Sequence, residues 1–488
     1  MTRTSLSHPL KIDTVAVGPG MGSIGITFCP GKTQPAALTG GWARDLGIDL
    51  DAIAAWGATA VVTLVEQHEL DQLGVADLGA QVQARHMDWL HLPIPDVTAP
   101  GSGFERAWIE LGAALRARLR SGFNVVVHCK GGLGRAGTVA ARLMAELGHD
   151  PRSAIAAVRA ARPGAIETSA QQAHVLAQSP VAEEAPATSS EAIGDRGLGA
   201  IVGMAIGDAL GTTLEFKRRD SYPPLTDIVG GGPFGLEPGQ WTDDTAMALA
   251  LAESLIDYPG LDERDLMDRF VGWYAHGTYS CTGRCFDIGG TTSLALRAYQ
   301  RTGRPVSGST DRFAAGNGSL MRLAPVALAS WDDRGRLADL AARQSQTTHA
   351  APEAVSACVL YADILADAIS GRPRTEVLRP RSEGAGAIRA IVKGSWRGKP
   401  RAQINSSGYV AHALEAALWS VARTSDFASA VLLAANLGDD ADTTAAITGQ
   451  LAGALYGYGA IPKRWLAILA WSDRIETAGR GLLERSHQ

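Results

Sequence analysis

The sequence predicts two domains of different class: an N-terminal α/β domain with a central, mostly parallel sheet flanked by helices, and a C-terminal all-α domain. Three observations carry this. A chain of 488 residues exceeds what one hydrophobic core serves. Residues 1–178 alternate β-rich and helix-period runs, whereas 194–488 are helical in period. Between them, "SPVAEEAPATSSEA" (Ser179–Ala192) is rich in Ala, Pro, Ser and Glu without apolar periodicity, which predicts a linker over 179–193.

In the first domain "AVVTLVE" (Ala60–Glu66), "MDWLHLPI" (Met87–Ile94) and "FNVVVHC" (Phe123–Cys129) predict strands. "DLDAIAAWG", "FERAWIELGAALRARLRS" and "GTVAARLMAELG" have helical spacing and fall between or after them. In the second domain "AMALALAESLIDY", "EAVSACVLYADILADAIS", "GYVAHALEAALWSVART" and "FASAVLLAANLG" predict helices. "LGAIVGMAIGDALG" is interrupted by Asp208, and "AAITGQLAGALYGYGAI" holds Thr448 and Gln450, so both predict buried helices and no membrane partner.

Apolar residues at 46% and charged residues at 19% allow large cores and exclude global disorder. A net charge of −5 argues against a nucleic-acid partner held by bulk electrostatics. Five scattered cysteines suit a reducing compartment, and "MTRTSLSHPLKIDTV" shows no apolar leader, so the expected location is cytoplasmic. The oligomeric state is open.

The first candidate site is His128-Cys129-Lys130-Gly131-Gly132-Leu133-Gly134-Arg135. A strand would deliver Cys129 to its C-terminal end, and the glycines let the loop turn with N–H groups inward. A helix beginning near Gly137 would add its positive end, favouring the nucleophilic thiolate. Arg135 suits bidentate grip on a phosphate, and Lys130 adds a second cation or faces solvent.

These residues, with "GITFCPGK" and "RPGAIET", resemble the cysteine-dependent protein phosphatases of the dual-specificity and kinase-associated type over most of 1–178. The resemblance implies a phosphocysteine on Cys129, phosphate held by Lys130, Gly131, Gly132, Leu133, Gly134 and Arg135, and no cofactor. It also implies an aspartic general acid. Asp96 in the loop "LPIPDVTAP" fits, with Asp88 in a strand-like run as its rival. Gln171 or Gln172 would position water. Ala136 departs from the family, which usually carries Ser or Thr after the arginine; that puts phosphoenzyme breakdown in doubt, with Thr138 the only nearby hydroxyl in the loop's sequence.

The second candidate site pairs "WTDDTAMAL" with "NLGDDADTTAAITG", placing Thr242, Asp243 and Asp244 at one helix start and Asp439, Asp440, Asp442 and Thr443 at another. One acidic cap is ordinary, but two clusters of adjacent carboxylates call for a cation. All-oxygen donors suit Mg²⁺ or Mn²⁺, and no Cys/His set has zinc spacing.

From about 196 to 480 the chain resembles the ADP-ribosylglycohydrolases of the dinitrogenase-reductase-activating and protein-ADP-ribose-hydrolase group, through these stretches and "GAIVGMAIGDALGTTLEF", "CFDIGGTT", "GNGSLMRLAPVAL", "TTHAAPEAV" and "SGYVAHALEAALW". The resemblance implies two metal ions, one face held by Thr242, Asp243 and Asp244 and the other by Asp440, Asp442 and Thr443. It implies Glu215 as a mobile catalytic carboxylate. Gly316, Asn317, Gly318 and Ser319 would meet the phosphates through backbone N–H groups, Asp287 and His349 the substrate, and Tyr409 the nucleoside. His349 also reads as a helix-end cap and Tyr409 as a core aromatic. Asp439 stands where the family also carries glycine, outside the ligand set.

The expectation is a bifunctional hydrolase acting on a phosphorylated substrate and on an ADP-ribosylated protein or ADP-ribose-containing small molecule. Two alternatives stay open. One is a regulatory protein whose first domain holds a phospho-ligand with little turnover; the other is a small-molecule enzyme for phosphorylated ADP-ribose derivatives.

Overall fold

Strands β1 (Asp13–Ala16), β2 (Ser23–Phe28), β3 (Ala58–Thr63), β4 (Asp88–His91) and β5 (Asn124–Cys129) form one sheet in the order β1-β2-β5-β3-β4. All neighbours run parallel except β1 and β2. Every residue of β3 is buried, as is β5 from Val125 to Cys129, because helices cover both faces of a parallel sheet. The computed structural model describes residues 2–36 and 40–485 and divides the chain into units Met1–Glu183 and Glu184–Gln488. Central β5 ends at Cys129, on the edge of the sheet where parallel folds bind ligands.

Two helices of this unit carry side chains to that edge: α1 (Gln67–Gln72) and α2 (Gly134–Glu146). The helix expected near Gly137 thus begins three residues earlier, at Gly134, and Arg135 lies in its first turn. Strands β1 and β2 escaped the sequence reading: DTVA is only four residues long, and SIGITF is broken by Gly25.

Among its described residues the second unit has no strand, only isolated bridges. Three of its helices build the site: α3 (Ser190–Gly211), α4 (Asp243–Asp257) and α5 (Ala441–Tyr456). The Ser189 side chain accepts from the Ala192 N–H and starts α3, so residues 190–193 of the expected linker are helical. Residues Ser190–Leu214 are long and apolar enough to cross a membrane, yet 94% of the most apolar window is buried within the protein.

What buries α3 is a backbone-to-backbone contact with α5. A Cβ on Gly203 would stand 2.5 Å from the Gly449 carbonyl oxygen, and one on Gly207 would stand 2.2 Å from that of Ala445. The reverse holds from α5, where a Cβ on Gly449 would meet the Gly203 oxygen at 2.0 Å. Helix separation is set by the side chains at the crossing, and here there are almost none. This approach brings Asp208 near the C-terminus of α3, and Glu215 just beyond it, to the first turn of α5.

Gly207→Ala should therefore lower the calorimetric transition of the second unit in the full-length protein, since overpacking costs about 1–3 kcal/mol. Gly194→Ala lies on the same helix with nothing within 4 Å of the new methyl. It should raise that transition by the ~0.5–1 kcal/mol that alanine gains over glycine in a helix. Equal shifts for the two variants would contradict the close-approach account.

Candidate active sites

In the first unit the Cys129 Sγ accepts a hydrogen bond from the Gly132 N–H at 3.2 Å, so the loop is wrapped around the sulfur. The Arg135 guanidinium makes paired hydrogen bonds to Glu69 of α1 at 2.6 and 3.0 Å and a third to the Ile94 carbonyl at 3.0 Å. Asp96, 57% exposed on its loop, lies 2.9 Å from the same guanidinium. Its rival Asp88 pairs instead with Arg118, on the helix Ser102–Arg120. Cys129, Arg135 and Asp96 are thus brought together, and Asp88 is not.

Burial would raise the Glu69 carboxyl, but the Arg135 hydrogen bonds and the Glu66 N–H override it and hold it below the usual carboxylate range. Behind the loop, the buried Lys32 ammonium donates to the Lys130 carbonyl at 3.2 Å and lies over the Phe28 and Trp42 rings at 4.8 and 4.6 Å. Burial draws its pKa down to about 8. Burial likewise draws His128 down to about 3, so a neutral imidazole shares a hydrogen bond with Thr63 at 2.8 Å.

Four other side chains already have partners. The Glu167 carboxylate accepts from the Gly134 N–H at 2.7 Å, taking one of the loop donors. Gln171 accepts from the Glu167 and Thr168 N–H groups and donates to the Thr98 carbonyl, while Gln172 accepts from Arg159. Gln171 is thus held at both ends of its amide, whereas only the Gln172 oxygen is engaged. Thr138 donates to the Gly134 carbonyl at 2.7 Å, within its own helix.

In the second unit, Thr242 stands at the N-cap position of α4 and Asp440 at that of α5, neither side chain bonding its own helix's first amides. Asp208 accepts from the N–H and hydroxyl of Thr242 at 2.9 and 2.8 Å, and from those of Thr245 at 3.0 and 2.7 Å. Glu215 accepts from the Ala441 N–H at 2.8 Å, closing the first turn of α5. Thr443 donates to Asp244 at 3.3 Å, and Asn317 donates to Asp440 at 2.6 Å. Asp208, Asp244 and Asp442 offer oxygens within 4.8 Å of one another, and so do Glu215, Asp287 and Asp442.

So many buried carboxylates raise one another. Burial first, and neighbouring carboxylates second, push Asp208 and Asp440 up to about 7 and Asp287 up to about 11. Asp243, Asp244 and Glu215 are pushed well up by the same causes. The Asp244 Oδ1 is buried with no hydrogen-bond partner. A hard divalent cation would answer both the repulsion and the orphaned oxygen, and the all-oxygen donor set fits one.

Above these groups lies a cavity of about 610 Å³, lined by Glu215, Asp243, Asp287, Asn317, Gly318, His349, Asp440, Asp442 and Thr443 among others. A neighbouring cavity of about 940 Å³ shares Thr291, Gly316 and Gly408 with it and reaches Phe313 and Tyr409, whose hydroxyl donates to Glu353. The neutral His349 ring, drawn by burial to about 3, fills the space where a Gly318 Cβ would come within 2.7 Å of it. The expected four-residue N–H cradle is smaller than the sequence suggested. Gly316 and Asn317 donate to the Ala314 and Gly408 carbonyls at 2.9 and 3.1 Å, and the Ser319 hydroxyl turns inward to Ser345 at 2.8 Å.

Sequence reasoning missed Glu69, Asp208 and Glu353 as site residues. Asp208 had left a signal, since a charge inside an apolar helix needs buried partners. Glu69 left none, because "QHELDQ" reads as an ordinary solvated turn.

Residues 188–488 match the family described as ADP-ribosylglycohydrolase, and residues 33–175 the one described as Swiss Army Knife protein, DSP-PTPase phosphatase domain. The second unit is similar to ADP-ribosylarginine hydrolase Tri1 of Serratia proteamaculans, 47% identical over 289 residues that cover 59% of this chain and 79% of the relative. ADP-ribosyl-(dinitrogen reductase) glycohydrolase of Rhodospirillum rubrum is 34% identical over 279 residues, covering 56% of this chain and 90% of its own. A solved ADP-ribosylglycohydrolase-related protein complex superposes with TM-score 0.55 at 41% identity, covering 61% of this chain and 99% of that one.

A carboxyl lowered on folding stabilises the fold above its unfolded value, and that contribution fades as pH falls through the lowered value. Glu69→Gln should therefore cost stability at neutral pH, and its deficit in urea midpoint against the parent should shrink as pH drops below about 4.3. A deficit unchanged down the acid limb would show that the Glu69–Arg135 pair does not carry it.

Proposed function

The chain belongs to the ADP-ribosylglycohydrolase family through residues 188–488 and also carries a dual-specificity-type phosphatase domain, and from that premise we propose a cytoplasmic bifunctional hydrolase. Its second unit would release ADP-ribose from modified arginine, and its first would hydrolyse phosphomonoesters through Cys129. The arginine linkage is suggested by the similarity to the Tri1 hydrolase at 47% identity. The observation that carries the glycohydrolase reading is the cavity floored by buried carboxylates, with Asp244 Oδ1 left unpaired.

Two Mg²⁺ or Mn²⁺ ions would be held by Thr242, Asp243 and Asp244 on one side and Asp440, Asp442 and Thr443 on the other. Bound there, they would neutralise the carboxylates and lower the pKa of a water. The protein's own groups do the positioning. Asp208, with four hydrogen bonds from Thr242 and Thr245, fixes the first turn of α4. Glu215 uses Oε2 on the α5 amides and lines the cavity with Asp287, and the two would exchange a proton with the departing acceptor. Gly318 lines the cavity and would offer its N–H to phosphate oxygens, and Tyr409, on the neighbouring cavity, would stand toward the nucleoside.

In the first unit, the Cys129 sulfur would attack phosphorus as the ester oxygen leaves with a proton from Asp96. Arg135, already oriented by Glu69, would hold two non-bridging oxygens. Water then cleaves the phosphocysteine. Ala136 offers no hydroxyl to the departing thiolate, and Thr138 is committed to the Gly134 carbonyl. That commitment favours slow turnover, and it is also what a phospho-ligand-holding regulatory domain would show.

Rapid mixing with an activated aryl phosphate should give a burst of phenol followed by a slow steady state. Ala136→Ser should speed the slow phase, and Cys129→Ser should abolish both. A linear progress curve from the first turnover would count against the phosphocysteine step being limiting.

Chelation with EDTA should stop ADP-ribose release from arginine-modified protein and leave aryl phosphate hydrolysis intact, while vanadate should do the reverse. Equal loss of both activities under EDTA would reject two independent chemistries.

A further inference from the structure

At the mouth of the carboxylate-floored cavity, Phe216 and Asp439 sit on left-handed backbone, which an Asp tolerates and a Phe rarely adopts. Phe216 has φ 59° and Asp439 has φ 57°. For a bulky residue such a φ is a genuine outlier, and strain of this kind collects at functional sites. The two are clipped together: the Phe216 N–H donates to the Asp439 carbonyl at 2.7 Å, and the Asp439 N–H to the Lys217 carbonyl at 2.8 Å. The clip faces outward. Phe216 is 67% exposed and Asp439 is exposed, yet both line the cavity.

Phe216 is also braced from behind, meeting Phe234 edge-on at 6.3 Å between ring centroids, with Phe234 against Phe286 at 5.2 Å. Phe286 directly precedes the cavity residue Asp287. Among the described residues lining this cavity none is Lys or Arg; the Asp439 carboxylate feels Arg219, outside the lining, whose guanidinium donates to the Leu437, Arg401 and Ile404 carbonyls. A strained, braced, exposed ring and an exposed carboxylate that line one cavity without a Lys or Arg in its walls are complementary to a flat cation that stacks on the ring and donates in-plane N–H bonds to the acid.

We propose that Phe216 and Asp439 form a clamp for the guanidinium of the acceptor arginine, and so select arginine-linked over hydroxyl-linked ADP-ribose. This rests on the glycohydrolase reading above and names the residues that decide its acceptor. The ring takes the face of the guanidinium, and the carboxylate accepts from an N–H not bonded to the sugar.

The test uses full-length protein, Phe216→Leu and Asp439→Asn, the latter tolerant of positive φ. An ADP-ribosylarginine peptide gives kcat and KM, and titration calorimetry gives Kd for free ADP-ribose, which lacks an acceptor. Each variant should lose about 5- to 30-fold in kcat/KM, mostly through KM, as removal of a partly desolvated cation–π or ionic contact implies. Free ADP-ribose affinity should stay within about twofold, and the double variant should lose less than the product of the single losses. Variants that match the parent on the peptide, or that lose peptide and free ADP-ribose in parallel, would overturn the clamp. A parent enzyme that releases ADP-ribose only from hydroxyl-linked peptides would overturn the arginine reading itself.

Discussion

The second unit depends on two helices whose backbones touch. Gly203 and Gly207 of α3 lie so close to Gly449 and Ala445 of α5 that no Cβ fits between them. An ordinary helix pair is held apart by its side chains, and at that spacing Glu215 would not reach the Ala441 N–H. The carboxylates gather because the helices meet. Their mutual repulsion is the other side of the same constraint, since six acidic groups are packed where burial and neighbours both oppose their charge.

The first unit arranges its charge differently. Central β5 carries Cys129 to the edge of the sheet, a glycine loop turns an N–H onto the sulfur, and Arg135 in the first turn of α2 is fixed by Glu69. One unit presents N–H groups and a guanidinium around a cysteine sulfur. The other gathers carboxylates that could hold a cation. Cysteine loop and acidic clusters in one chain are therefore opposite arrangements of local charge.

The sequence by itself determined the two fold classes and the motifs that carry the candidate residues. Apolar runs such as NVVVHC specify a buried strand, and motif spacing places Cys129 with Arg135 and Asp243 with Asp244, because residues a few positions apart stay close in any fold. Only the tertiary structure decided which partners those residues have. Glu69 reaches Arg135 across 66 positions, Glu215 reaches Ala441 across 226, and Phe216 is clipped to Asp439 between the same two segments. It also decided which groups are already used: Gly316 and Asn317 spend their N–H groups on neighbouring carbonyls, and Thr138 spends its hydroxyl on its own helix. Hydrogen-bond commitment and long-range approach depend on where separate segments pack, and no local pattern of residues encodes that distance.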